Sequence, residues 1–292
     1  MKEINIDEKL AGQKMMRCLE RYLSNAPKSF LYKMLRKKNI TLNNSKATGD
    51  EKLKCGDTIK IFFSDETFEK FSADTNRAVN DDYFSRIYKP LDIIYENSDV
   101  IFINKPSGML SQKAKPEDVS LIEYLIAHLI HKGEINASDL ASFKPGICNR
   151  LDRNTSGIVA AGKTTKGLQQ LSEAFKLRTL GKYYLCIVKG RVEKRALIKG
   201  YLYKDNKTNK VTISRTEIKD SLPIETEYIP VCSNGNVTLL KIHLLTGRSH
   251  QIRAHLASIG HPLIGDYKYG SKQINDTFNR QFKVKDQMLH SY

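Results

Sequence analysis

Residues 149–156 read NRLDRNTS and set one carboxylate, Asp152, beside two guanidinium groups, Arg150 and Arg153, with Thr155 and Ser156 able to hydrogen-bond the turn. An ionised carboxylate can act as a nucleophile or as a general base. A neighbouring guanidinium keeps it charged where burial would raise its pKa. The same trio can equally form a structural salt bridge, and this segment alone leaves both readings open.

Directly behind the cluster, residues 157–164 (GIVAAGKT) fit G-x-x-x-x-G-K-[ST], the spacing of a phosphate-binding loop. Such a loop needs an apolar strand before its first glycine and a helix that starts at the lysine. Here Ile158, Val159, Ala160 and Ala161 favour an extended buried strand where the loop should lie, and the residues ahead of Gly157 are polar. The magnesium-holding aspartate that such a site also requires has only HPLIGD (261–266) as a candidate, with two large apolar residues. The spacing therefore predicts a strand and no nucleotide. NRLDRNTS becomes the loop leading into that strand, and a loop fixed by a sheet suits a reactive carboxylate.

His250 and His255 are five residues apart, which does not align them on one helical face, and no third ligand is evident, so no metal is expected. The five cysteines are an odd number without a C-x-x-C pair, which argues against a disulfide framework or a thiolate zinc site. Lys105, with Pro106 and Gly108, shapes a turn and offers structural support or a phosphate contact.

These groups need elements to hold them. Residues 14–24 and 28–38 each carry a helical apolar stripe, followed by two short strands in ITLNN and DTIKIFF. From Arg21 to Gly49 there are seven basic residues and no acidic one, among them Lys28, Lys33, Arg36, Lys37 and Lys38, interleaved with Phe30 and Tyr32. Such a face suits an RNA backbone, although a merely solvated helix would look the same. Residues 64–88 are acid-rich without a sustained apolar period and read as a connector. Beyond them strand-like runs (LDIIYE, DVIFINK, GIVAAGK, YYLCIVKG, KVTIS, VTLLKIHLL) alternate with a few helical ones (LIEYLIAHLI, KGLQQLSEAF, HQIRAHLASI). That pattern predicts an α+β fold with a large, mostly antiparallel sheet. The expected division is a module over 1–65, a connector over 66–88 and a second domain over 89–292.

Lys and Arg outnumber Asp and Glu by 48 to 32, a net charge of +16 over 292 residues, which favours a polyanionic partner. No apolar run approaches the roughly 18 residues that cross a bilayer, and the polar start MKEINIDEKL is no signal peptide. A monomer located in the cytoplasm is the expectation.

RLDRNTSG (150–157) resembles the signature loop of the RluA family of pseudouridine synthases, HRLDxxTSG. Three further stretches resemble family motifs in the same order: FINKPSGML (102–110), KYYLCIVKG (182–190) and TGRSHQIRAHLASIGHPLIGD (246–266). Residues 14–63 resemble an S4 RNA-binding domain, with Asn39 standing where a glycine is common. APKSFLYKMLRKK is closer to the branch that includes the ribosomal large subunit synthases of type C than to type D.

The resemblance implies an isomerase that breaks the N1–C1′ bond of a uridine, turns the base and joins C5 to C1′, without a cofactor. It assigns the reactive carboxylate to Asp152, as nucleophile or as base, its partner to Arg253 and the residue packed on the uracil to Tyr184. It gives Arg150 to the flipped base and makes ribosomal RNA the partner. Arg248, five residues before Arg253, would meet phosphate or cap local structure, and Tyr183 would face the other side of its strand. Asn149 replaces the family's histidine. The chain ends at QMLHSY where family members continue with further strands, which leaves the completeness of the sheet edge open. Those two departures motivate the competing reading, a non-catalytic RNA-binding or ribosome-assembly protein.

Overall fold

The computed structural model describes residues 1–72, 81–141, 143–205 and 208–292. Its strands are β1 (Lys2–Asn5), β2 (Ile40–Leu42), β3 (Ser45–Lys46), β4 (Thr58–Ile61), β5 (Ile93–Glu96), β6 (Val100–Lys105), β7 (Gly146–Ile147), β8 (Ser156–Gly162), β9 (Tyr183–Lys189), β10 (Ala196–Asp205), β11 (Lys210–Ser214), β12 (Leu222–Ser233), β13 (Val237–Leu244) and β14 (Leu289–Ser291). Its helices are α1 (Met15–Tyr22), α2 (Lys28–Arg36), α3 (Asp65–Phe71), α4 (Asp81–Ile87), α5 (Leu121–His131), α6 (Thr165–Lys176), α7 (Gln251–Ser258) and α8 (Lys272–Phe282). A four-stranded sheet has the order β1-β4-β2-β3. A ten-stranded sheet runs β11-β10-β12-β13-β9-β14-β8-β6-β5, with β7 on β8. The α+β class read from the sequence is the observed one.

The chain forms two compact units. The first comprises residues 1–103, 112–149 and 159–176. Its N-terminal part packs the apolar stripes of α1 (Met15, Cys18, Leu19) and α2 (Leu31, Met34, Leu35) with Ile4, Ile40, Ile59 and Ile61 into one core, joined by Phe143. Burying one face of each helix leaves the opposite face to solvent. Lys28, Lys33, Arg36, Lys37 and Lys38 are all exposed there.

Two of the expected details differ. Lys28 is paired with Glu20 at 2.8 Å, and Phe30 packs on Phe63 and Phe71 instead of facing outward. The segment read as a connector contains α3 and α4, while its residues 73–80 lie outside the described residues. Helix α3 escaped sequence reading because it buries no residue fully. It is set instead by its ends, with Ser64 Oγ accepting the Thr67 amide and Asp65 and Glu66 in the first turn.

Gly157–Gly162 is strand, as its apolar residues require. Lys163, the would-be phosphate ligand, is buried and pairs with Glu96 at 2.8 Å and Glu134 at 2.6 Å. That pairing removes the phosphate-loop reading.

The second unit comprises residues 104–111, 150–158 and 177–292. QMLHSY does not lie at a sheet edge. Its β14 is an interior strand, antiparallel to β9 and parallel to the start of β8. Gly157 makes this possible, because at φ 115° a Cβ would stand 2.0 Å from the Ser291 carbonyl oxygen. Gly157→Ala is expected to destabilise the protein by about 3 kcal/mol in urea unfolding, by pushing β14 out of place.

A candidate active site on strand ends and helix α7

The second unit gathers its charged groups around the loop before β8. Lys105, at the end of β6, is fully buried. Its ammonium donates to the carbonyl oxygens of Pro106 (2.9 Å), Met109 (2.9 Å) and Arg153 (3.0 Å). Ser111 Oγ donates to the Leu151 carbonyl at 2.7 Å and accepts the Leu151 amide at 3.1 Å. Arg153 Nε donates to the Gly108 carbonyl at 3.1 Å. Two irregular loops, 106–111 and 150–154, are thereby fastened together, and the Asp152 backbone is fixed by its neighbours on both sides. Arg153, one of the two guanidiniums beside Asp152 in sequence, is spent on this fastening.

Burial pushes the Lys105 ammonium down to about 8, against the pull of Asp152 and Asp286. Lys105→Met strands three carbonyl acceptors, and a loss of about 2–4 kcal/mol in unfolding experiments is expected. The folded-state pKa lies below the model-peptide value of 10.5, so the unfolded chain binds more protons between pH 8 and 10.5. Wild type should therefore gain stability relative to the variant as pH rises through that window.

Helix α7 supplies the partner of Asp152. Gln251 and His255, four residues apart, share one helical face. Gln251 Nε2 donates to the Glu225 carbonyl (3.1 Å) and Thr226 Oγ1 (3.0 Å), and its Oε1 accepts the Arg248 amide (3.1 Å). His255 Nδ1 lies 3.0 Å from Thr226 Oγ1, and burial holds its imidazole down at about 4. Both side chains tie α7 to β12. Arg253, about 200° round the helix from Gln251, projects the other way.

Arg253 Nη1 donates to Asp152 Oδ2 at 2.7 Å. Its Nε and Nη2 hold Asp266 Oδ2 and Oδ1 at 2.7 and 3.0 Å, a two-point fork. Asp266 is 1% exposed and also accepts the amides of Lys268 and Tyr269. The Arg253 guanidinium is 8% exposed and faces the Tyr269 ring, 5.2 Å away. Burial works against its charge, but Asp266 and Asp152 outweigh that and raise its pKa above the ordinary value. Asp152 keeps a 28% exposed side chain, so a carboxylate steadied by a buried cation still meets solvent.

Tyr184 and Tyr183 alternate on β9 as a strand requires, at 7% and 36% exposure. Burial, then the charge of Asp152, pushes the Tyr184 phenol up to about 12, opposed by its hydrogen bond to Ser291. Tyr184 therefore remains neutral at physiological pH, within electrostatic reach of Asp152. Tyr183 stacks on His243 at 4.7 Å instead.

Of the residues singled out in the sequence, Asp152, Arg253 and Tyr184 come together. Arg150 and Arg248 are exposed, Arg248 on the turn before α7. Asn149, in the first unit, uses its Oδ1 to accept the Ala160 amide at 2.8 Å. His250 and His255 have different partners, Asp152 and Thr226, and no cluster of three or more potential metal-ligating His, Cys, Asp or Glu side chains occurs among the described residues. Sequence reasoning missed Asp266, weighed only as a magnesium ligand, and Tyr269. The signal for Asp266 was its place in the same motif as Arg253.

Residues 99–258 match the RNA pseudouridylate synthase family. An uncharacterized RNA pseudouridine synthase of Mycoplasma genitalium is 33% identical over 270 residues, covering 91% of this chain and 80% of that protein. The ribosomal large subunit pseudouridine synthase C of Vibrio cholerae is 29% identical over 294 residues, covering 99% and 86%. The fold is shared with human RNA pseudouridylate synthase domain containing 1, with a TM-score of 0.55 and 23% identity over 70% of this chain and 77% of that one. No helix among the described residues is long and apolar enough to cross a membrane. The four motifs, the matched region and the near full-length relatives agree, and the chain belongs to the RluA family of RNA pseudouridine synthases, which are isomerases.

Proposed function

We propose that this protein isomerises particular uridines of large-subunit ribosomal RNA, with Asp152 as the carboxylate that acts on the ribose. The observation that carries the proposal is the Asp152–Arg253 contact at 2.7 Å, built on a guanidinium that Asp266 already holds in place. The cation stands against a carboxylate that still meets solvent. The carboxylate attacks C1′ or removes a ribose proton while the N1–C1′ bond breaks. The freed base turns, C5 bonds to C1′ as the carboxylate–C1′ bond breaks or the ribose proton returns, and the proton lost from C5 is balanced by one gained at N1. Tyr184, neutral and buried beneath the base, packs on the uracil and takes part in that proton transfer. The target must leave its stack to reach Asp152, and Arg150 holds the flipped nucleotide. The transfer is internal and redox-neutral, and we assign it no cofactor.

The names of the relatives support the large subunit as substrate, since the Vibrio cholerae protein is a ribosomal large subunit synthase. The N-terminal 65 residues serve as an S4-like RNA-binding module, with Lys28, Lys33, Arg36, Lys37 and Lys38 on phosphates and Arg248 a further contact. A monomer working in the cytoplasm completes the reading.

The test is tritium release from C5-labelled uridine in unmodified large-subunit RNA, combined with mapping of pseudouridines in a strain lacking the gene. Release by wild type that Asp152→Ala lacks, at sites missing in that strain, is expected. No release from free RNA or from assembling subunits would favour the non-catalytic RNA-binding role. Replacing Lys33, Arg36, Lys37 and Lys38 by Gln should lower the slope of log affinity against log salt by about 3. An unchanged slope would move the RNA anchor elsewhere.

A further inference from the structure

His250 stands immediately before α7 in the left-handed region, at φ 54° and ψ 15°. A side-chain-bearing residue held there is strained, and such residues gather at functional sites. Helix capping does not account for it, because the His250 side chain makes no cap hydrogen bond. Its Nδ1 lies 2.8 Å from the Tyr269 hydroxyl, the two rings meet edge-on at 5.6 Å, and Nε2 is thereby brought 3.9 Å from Asp152 Oδ2.

Tyr269 bears on which nitrogen carries the proton. Its hydroxyl oxygen accepts the Val211 amide at 3.1 Å, and its one proton can be given to His250 Nδ1, 2.8 Å away. An imidazole that accepts at Nδ1 carries its hydrogen at Nε2. Burial lowers the ring's pKa against the pull of Asp152 and Asp266, and the charges of Arg253 and Lys268 act in the same sense as burial. The Nε2–H therefore faces Oδ2, the oxygen that Arg253 already addresses at 2.7 Å.

We propose that His250 is a positioning residue for the reaction. Its neutral imidazole, oriented by Tyr269, donates to Asp152 Oδ2 once RNA draws the site together, and with Arg253 it turns Oδ1 toward the ribose. The 3.9 Å gap suits this, since catalytic hydrogen bonds are often long in an empty site and tighten on substrate. The inference rests on Asp152 being the reacting carboxylate.

Two replacements separate orientation from bulk. Glutamine sets an amide donor where Nε2 stood. Asparagine tolerates the left-handed backbone and mimics only the Nδ1 side. Single-turnover tritium release should fall about 100-fold in His250→Asn and recover to within about fivefold of wild type in His250→Gln. The Kd for RNA should stay within about threefold in both, because phosphate contacts carry the affinity. Tyr269→Phe, which frees the tautomer without touching His250, should slow release about tenfold.

Asparagine and glutamine variants that are equally slow, or an asparagine variant as fast as wild type, overturn the proposal. If His250→Asn fails to fold by thermal melting, an undiminished rate in Tyr269→Phe overturns it alone. Wild type without activity, or an active Asp152→Asn, removes the underlying reading as well.

Discussion

Asp152→Asn should lower the single-turnover rate of pseudouridine formation by roughly 10⁴-fold or more while leaving RNA affinity within about threefold. The replacement has the same shape, and its amide oxygen can still accept the Arg253 Nη1–H that now reaches Oδ2 at 2.7 Å. Arg253 is not abandoned as a buried charge, because Asp266 continues to hold two of its nitrogens. Stability should therefore change little. What disappears is the negative charge that the proposed mechanism requires, and a neutral amide neither attacks carbon nor takes a proton at a useful rate. On the proposed reading affinity survives, since the exposed cations of the N-terminal helices, and not Asp152, are assigned to the phosphates. Tritium release and filter binding on the same RNA separate the two quantities. A variant retaining a tenth of the rate would sink Asp152 as the reacting group. A variant that loses RNA binding in parallel would instead make Asp152 part of the binding surface.

The sequence was most informative where one local pattern sufficed. The apolar run Ile158–Ala161 specified a strand in place of a phosphate loop, and the alternation at Tyr183 and Tyr184 specified that their rings face opposite sides, one of which is buried. It was least informative where structure depends on distant partners. Asp152 and Arg253 are 101 residues apart, and no spacing joins them; the motif resemblance did. Strand β1 turns only Ile4 inward, so its alternation is too short to register. Strand β14 has three residues and exists because β8 and β9 supply hydrogen bonds on both sides, with Gly157 making room. His250 and His255 looked alike as candidate ligands. The fold separates them, one into a network with Thr226 and one beside Asp152.

The same dependence on distant partners makes the Arg253–Asp266 pair the most consequential place to cut the second unit. Asp266→Ala leaves a guanidinium, 8% exposed, with one carboxylate in place of two. A loss of about 3–5 kcal/mol in urea unfolding is expected, since a buried ion deprived of its partner carries its full desolvation cost. Arg253→Met should cost a similar amount, because Asp266, 1% exposed, would retain only the Lys268 and Tyr269 amides. Combining the two removes both stranded charges, so the double variant should be more stable than the sum of the single losses predicts, by about 1–3 kcal/mol. Turnover should not follow stability. On the proposed reading Arg253 orients Asp152, so the double variant should remain as inactive as Arg253→Met, roughly 10²-fold or more below wild type. Additive losses of stability would mean that the pair does not act as a unit. Recovery of turnover together with stability would show that Arg253 supports the fold alone and that Asp152 needs no cation beside it.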